Sequence, residues 1–151
     1  SAYRAVAGAK TRGIDMEIFG EVLPDWNVSA SYSHSVTKDA DHERIRTEAP
    51  ANLIKLWTTY RLQGGLNPLT IGGGLNWQSG MSLTTSQGKA TQEQYAVFNV
   101  MARYDITRQL SASVNVNNVF DKQYFSALDP TFFTGYYGEP RNVMFSTRYA
   151  F

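Results

Sequence analysis

Polar and apolar residues alternate along most of this chain, and the alternation is clearest at its end. Val143, Phe145, Thr147, Tyr149 and Phe151 share one parity, while Asn142, Met144, Ser146, Arg148 and Ala150 share the other. A period of two is the repeat of a β-strand with one apolar and one polar face. Six earlier segments read the same way: Ala9 to Val22, Trp26 to Thr37, Asn52 to Leu62, Leu69 to Gln78, Gln94 to Ile106, and Gln109 to Phe120. Their apolar parities carry, for example, Ile14, Met16 and Ile18; Val28, Ala30 and Tyr32; Ile54, Leu56 and Tyr60; Leu110, Ala112, Val114 and Val116. The pattern predicts an all-β, antiparallel, up-and-down architecture of seven strands.

The connections add a second signal. Pro24-Asp25, Gln63 to Pro68 and Thr107-Arg108 are short, with Thr107-Arg108 read as the shortest turn. Lys38 to Pro50, Ser79 to Glu93 and Asp121 to Glu139 are long and read as loops. Short and long alternate, so a meander collects every short turn at one end and every long loop at the other. Membrane-spanning barrels of the bacterial outer membrane have this asymmetry, with short periplasmic turns and long extracellular loops. The segments, at about ten residues or more, also exceed the usual strand length of about five or six and match a bilayer.

Charge tests the same idea. Asp15, Glu17, Glu21, Lys55, Arg61, Arg103, Asp105 and Arg148 all fall on the parity opposite their strand's apolar residues. In a barrel that parity faces the lumen, because a cation facing lipid costs roughly 2–4 kcal/mol at mid-depth. Lys10 and Arg12 depart from the rule near the loop end of the first segment, where that penalty fades. Aromatics near segment ends, such as Trp26, Tyr60, Tyr104, Tyr149 and Phe151, suit interfacial girdles. A soluble β-sandwich shares the alternation and stays open on that ground alone, as does a small self-assembling outer-membrane barrel or adhesin-like domain.

Composition narrows the chemistry. A formal charge of +1 gives no electrostatic reason to expect nucleic acid. The chain has no cysteine, so thiolate metal sites and disulfides do not arise. Asp39, Asp41, His42 and Glu43 crowd one loop but lack the spacing of a calcium loop, and read as solvated charge. Gly72-Gly-Gly74 lies inside a strand with no following helix, so it reads as a strand bend or a place of close approach to a plug rather than a phosphate loop. No nucleophile motif is present, and no enzymatic activity is expected. The most suggestive stretch is the last loop, where Phe132, Phe133, Tyr136 and Tyr137 are expected either to meet an organic ligand or to pack the loop onto its neighbours. Trp77 and Met81, at the outer end of the fourth segment, carry the same two readings.

Three stretches carry a family resemblance. Asn115-Val-Asn-Asn-Val-Phe-Asp-Lys-Gln-Tyr124, Tyr137-Gly-Glu-Pro-Arg-Asn-Val143 and the run to Phe151 resemble the C-terminal hallmark of TonB-dependent outer-membrane receptors. Arg12-Gly-Ile-Asp-Met-Glu17 resembles an internal strand of the same family, and Ala49-Pro50 with the final loop looks closest to its ferric-siderophore members of the hydroxamate and pyoverdine type. The resemblance implies a segment of a 22-stranded barrel, the C-terminal third of a receptor whose plug domain and TonB-contacting segment lie outside these residues. It implies uptake of a ferric siderophore as transported ligand, with no cofactor bound directly. The implied partners are the TonB complex, the lipid bilayer and the barrel-assembly machinery. Phe145, Tyr149 and Phe151 would belong to the barrel-closing strand.

Overall fold

The computed structural model describes residues 7–151. In chain order the strands are β1 (Lys10–Leu23), β2 (Trp26–Lys38), β3 (Arg44–Ile45), β4 (Asn52–Arg61), β5 (Leu69–Gln78), β6 (Met81–Thr85), β7 (Gly88–Gln92), β8 (Tyr95–Asp105), β9 (Leu110–Asn117), β10 (Phe125–Asp129), β11 (Thr134–Tyr137) and β12 (Asn142–Tyr149). One 3₁₀ turn covers Gly64–Leu66. The seven long strands pair antiparallel in the order β1-β2-β4-β5-β8-β9-β12, with β3 added to β2. This is the up-and-down meander that the periodicity predicts. No second sheet packs face to face on it among the described residues, which removes the sandwich.

Register carries the parity of each strand across the whole sheet. One row runs Ile18, Ala30, Leu56, Leu75, Phe98; another runs Trp26, Tyr60, Ile71, Ala102, Val114, Phe145. A one-residue slip at any strand would turn its apolar set to the other face; the register of the long strands shifts once, at a bulge between Glu21 and Leu23 beside the β1–β2 turn, and holds along the rest of each pair. The apolar face is open: Ile18 is 72% exposed and Phe145 80%. An apolar face of this extent on a water-soluble monomer would be an aggregation surface, and on a membrane barrel it is the lipid-facing band.

The opposite face is polar. Arg61 Nη2 pairs with Asp105 Oδ2 at 3.1 Å, and Arg103 Nε approaches Asp105 Oδ1 at 3.5 Å. Ser113 and Ser146 hydroxyls meet at 2.6 Å. Gly74 also belongs to this face, and a Cβ there would run into the Leu56 carbonyl oxygen and the Trp57 ring. The ring of Trp57 therefore fills the groove that the glycine leaves, an aromatic cover over a strand glycine. Met101 and Thr59 crowd Gly72 in the same way. Among the described residues, the groups that come close to Gly72 and Gly74 belong to the wall itself.

The short turns cluster at one end. Asp25, at φ 64°, closes the two-residue turn between Leu23 and Trp26, and its N–H donates to Glu21 Oε1 at 3.0 Å. Proline before a left-handed Asp suits a tight turn because each residue presets the dihedral required. Thr107-Arg108 is wider than expected: β8 stops at Asp105 and β9 starts at Leu110, with Thr107 Oγ1 accepting from the N–H groups of Gln109 and Leu110. Pro24-Asp25 is the tighter of the two.

Three further expectations change. β9 ends at Asn117 rather than Phe120, because Asn118 leaves the strand at φ 52°. β12 ends at Tyr149 rather than Phe151. The long loops are not irregular: Ser79 to Glu93 contains the β6–β7 hairpin, and Asp121 to Glu139 contains the β10–β11 hairpin.

Candidate functional site

The outer end holds the only cluster of buried apolar residues resolved among the described residues. Met81 and Leu83 of β6 meet Leu128 of β10, with Ala90, Phe125 and Phe133 packed around them. The two hairpins thus share one small core. Polar links bind them further: Phe125 N–H donates to Gln92 Oε1 at 2.9 Å, and Thr47 Oγ1 donates to the Ser82 carbonyl at 2.7 Å while Ser82 N–H donates to the Thr47 carbonyl at 2.9 Å. All three long loops are therefore joined into one unit above the wall.

A seam fastens that unit to the sheet. Asn118 is 2% exposed and uses every polar group it has. Its N–H donates to Asn99 Oδ1 at 3.0 Å, its Nδ2 donates to the carbonyls of Lys122 (2.9 Å) and Glu139 (3.0 Å), and its Oδ1 accepts from Lys122 N–H at 2.8 Å. Both ends of the last loop are held by this one side chain. Asp121, also left-handed at φ 52°, accepts from Arg141 N–H at 3.0 Å. Asn and Asp suit these positions because they tolerate left-handed backbone and bond to nearby main chain.

Beneath the seam lies a cavity of about 470 Å³ on the polar face of the sheet, bordered by Lys55, Asn76, Gln78, Tyr95, Tyr124 and Glu139. Tyr95 and Tyr124 stack at 4.3 Å between ring centroids. Burial, helped by the Glu139 carboxylate, raises the Tyr124 phenol above its ordinary pKa, so it remains a hydroxyl donor at neutral pH. Gln78 Nε2 is buried there with no hydrogen-bond partner among the described residues. An orphaned amide donor is costly unless something accepts from it. Phenols, amides and one ammonium together suit an organic molecule rich in oxygen acceptors.

The structure separates the residues that the sequence groups. Met81 is 3% exposed in the hairpin core, and Phe133 packs on that core against Gly88. Both hold the loops together and are not presented to a ligand. Trp77 stands in the outward row between Ile54 and Ala96, on the lipid-facing parity, while bordering the cavity between Asn76 and Gln78. Phe132, Tyr136 and Tyr137 are exposed, Tyr137 at 76%, and remain accessible from outside. Tyr137 also stacks on Phe125 at 4.7 Å. Phe145, Tyr149 and Phe151 are exposed on the outward parity, and β12 pairs only with β9 among the described residues.

Sequence reasoning missed Tyr95, Asn76 and Gln78. The signal was present: Tyr95 is an aromatic on the charge-bearing parity of its strand, where apolar residues are not required by lipid. The Asp39 loop holds no metal cluster among the described residues. Asp39 Oδ1 instead accepts from the N–H groups of Asp41 and Glu43, each at 3.0 Å, and shapes its own turn.

A single sheet with one apolar and one polar face, short turns at one end and packed hairpins at the other, has the form of a wall segment of an outer-membrane barrel. The family described as "TonB dependent receptor-like, beta-barrel" matches residues 1–119, and the chain belongs to it. A ferric-pyoverdine BN7/BN8 receptor of Pseudomonas putida is 51% identical over 154 residues, covering 100% of this chain and 18% of the relative. A ferric-pyoverdine 358 receptor of the same species is 46% identical, covering 99% of this chain and 18% of its own length. The crystal structure of the ferripyoverdine receptor of the outer membrane of Pseudomonas aeruginosa, bound to ferripyoverdine, superposes with a TM-score of 0.84 at 43% identity, over 93% of this chain and 19% of that one. The chain thus spans about a fifth of these relatives, less than the third expected. Its place is the bacterial outer membrane.

Proposed function

We propose that the full-length protein is a receptor that takes up a ferric siderophore of the pyoverdine type. These 151 residues form part of its barrel wall, with the plug and the TonB-contacting segment supplied by the rest of the protein. The ferric complex is captured at the outer mouth and moved through the lumen with energy delivered through TonB. The observation that carries this reading is the cavity on the polar face, roofed by the loop unit, within a strand set that superposes on part of the ferripyoverdine receptor over 93% of this chain. Such a ligand arrives with its iron already wrapped by its own oxygens, so the protein needs donors and aromatic surface rather than metal-binding side chains. Lys55, Gln78, Tyr95 and Tyr124 provide donors, and Tyr136 and Tyr137 provide accessible aromatic surface. A receptor of this kind is a transporter rather than an enzyme.

The test is binding of ferric pyoverdine to the full-length receptor, with Tyr95→Phe, Gln78→Leu and the Tyr136→Ala, Tyr137→Ala double variant. A loss of roughly tenfold or more in affinity, with unchanged surface level, supports the reading; each lost donor in a desolvated site is worth about 1–3 kcal/mol. Unchanged affinity in all three variants would remove these residues from the site.

A further inference from the structure

The outward face breaks its own charge rule in one place. Lys10 and Arg12 share the parity of Ile14, Met16 and Ile18, and register sets Lys10 directly opposite Lys38 and Ile14 opposite His34. Like charges facing each other across a strand pair repel. Lys10, Arg12, Ile14, His34 and Lys38, with Val36 opposite Arg12, line an open cavity of about 610 Å³. His42 borders it too. Asp39 is the carboxylate on that cavity, and its Oδ1 is already shared by two backbone N–H groups. Lys10, Arg12 and Lys38 make no ion pair among the described residues.

Position explains what such a cluster can meet. It lies at the long-loop, extracellular end, on the face that carries the lipid-facing band. Charge there escapes the mid-depth penalty, and long basic side chains reach headgroup level while their stems stay on apolar surface. A guanidinium fork and two ammonium groups match the oxygens of a phosphate. Ile14 and Val36, between the cations, offer an apolar floor. We propose that this cluster binds the phosphorylated headgroup of an outer-leaflet lipid, with Lys10, Arg12 and Lys38 on phosphate oxygens and Ile14 and Val36 against the apolar part of the lipid. The site is separate from the lumen cavity and independent of the siderophore reading.

The test uses the full-length receptor in detergent, titrated with bisphosphorylated lipid A and followed by native mass spectrometry. The wild type is expected to bind this lipid and to bind its dephosphorylated form far more weakly. Replacing the three cations together (K10Q, R12Q and K38Q) is expected to weaken binding on the order of a hundredfold, since each basic residue near a membrane surface contributes about one factor of five. Ferric-siderophore affinity should not move. Equal binding of both lipid forms by the wild type would overturn the proposal, and that comparison stands even if the triple variant fails to assemble. Wild-type affinity retained by an assembled triple variant would also overturn it. Displacement of lipid A by inorganic phosphate alone would show a free-anion site and overturn the lipid assignment.

Discussion

The wall and the loop unit solve the same problem in opposite ways. In the wall, apolar side chains such as Ile18 and Phe145 point away from the protein. In the loop unit, Met81, Leu83 and Leu128 turn toward one another and away from solvent. Both follow from backbone hydrogen bonding plus the surrounding medium. A spanning strand satisfies its N–H and C=O groups on its neighbours and lets lipid receive its apolar side chains. An outer hairpin stands in water, so its few apolar residues must find one another. The same alternation of residues therefore means exposure in one region and burial in the other.

The comparison can be broken by substitution, starting with the wall. Gly74→Val should be the most damaging change, because a side chain there meets the Leu56 carbonyl and the Trp57 ring. We expect more than about 3 kcal/mol of destabilisation, at the upper end for overpacking, seen as loss of the heat-modifiable, assembled band of the full-length receptor. Val114→Arg on the outward row should cost about 2–4 kcal/mol, whereas Ser113→Arg, one residue away on the polar face, should cost under about 1 kcal/mol. Denaturant titration of receptor refolded into vesicles separates them, and equal costs would sink the assignment of faces.

Substitutions in the loop unit should act locally. Leu128→Ala is expected to loosen both hairpins by about 2–3 kcal/mol, with faster hydrogen exchange in residues 81–92 and 125–137 and none in β4 or β5. Asn118→Ala, at the seam, should cost about 1–2 kcal/mol by stranding the carbonyls of Lys122 and Glu139. Its signature is new protease sensitivity at the base of the last loop with the barrel still assembled.

Legibility in the sequence divides along the same line. The seven long strands could be read because each runs for eight residues or more, and because lipid enforces the alternating parity at almost every position. The faces could be read from charge, since Asp15, Lys55 and Arg148 have nowhere else to go. The hairpins could not: β6 offers only Met81 and Leu83 as alternating apolar residues, and β10–β11 is hidden among aromatics that suit several roles. Met81 and Phe133 were candidates for ligand contact because exposure and burial look alike in a short aromatic loop. The Tyr95–Tyr124 stack joins a strand end to a distant loop, and no local pattern announces it. Asn118 stood in a recognisable family motif, but its role as a clasp emerges only when Asn99, Lys122 and Glu139 are seen around it.

The central claim is that one parity of every long strand faces lipid and the other faces the lumen. Val114→Cys and Ser113→Cys, each spin-labelled in an otherwise cysteine-free full-length receptor in bilayers, test it directly. The label at position 114 should be relaxed by lipid-dissolved oxygen and shielded from a water-soluble nickel complex, and the label at 113 should show the reverse. The same accessibility at both positions, or the opposite order, would contradict the account.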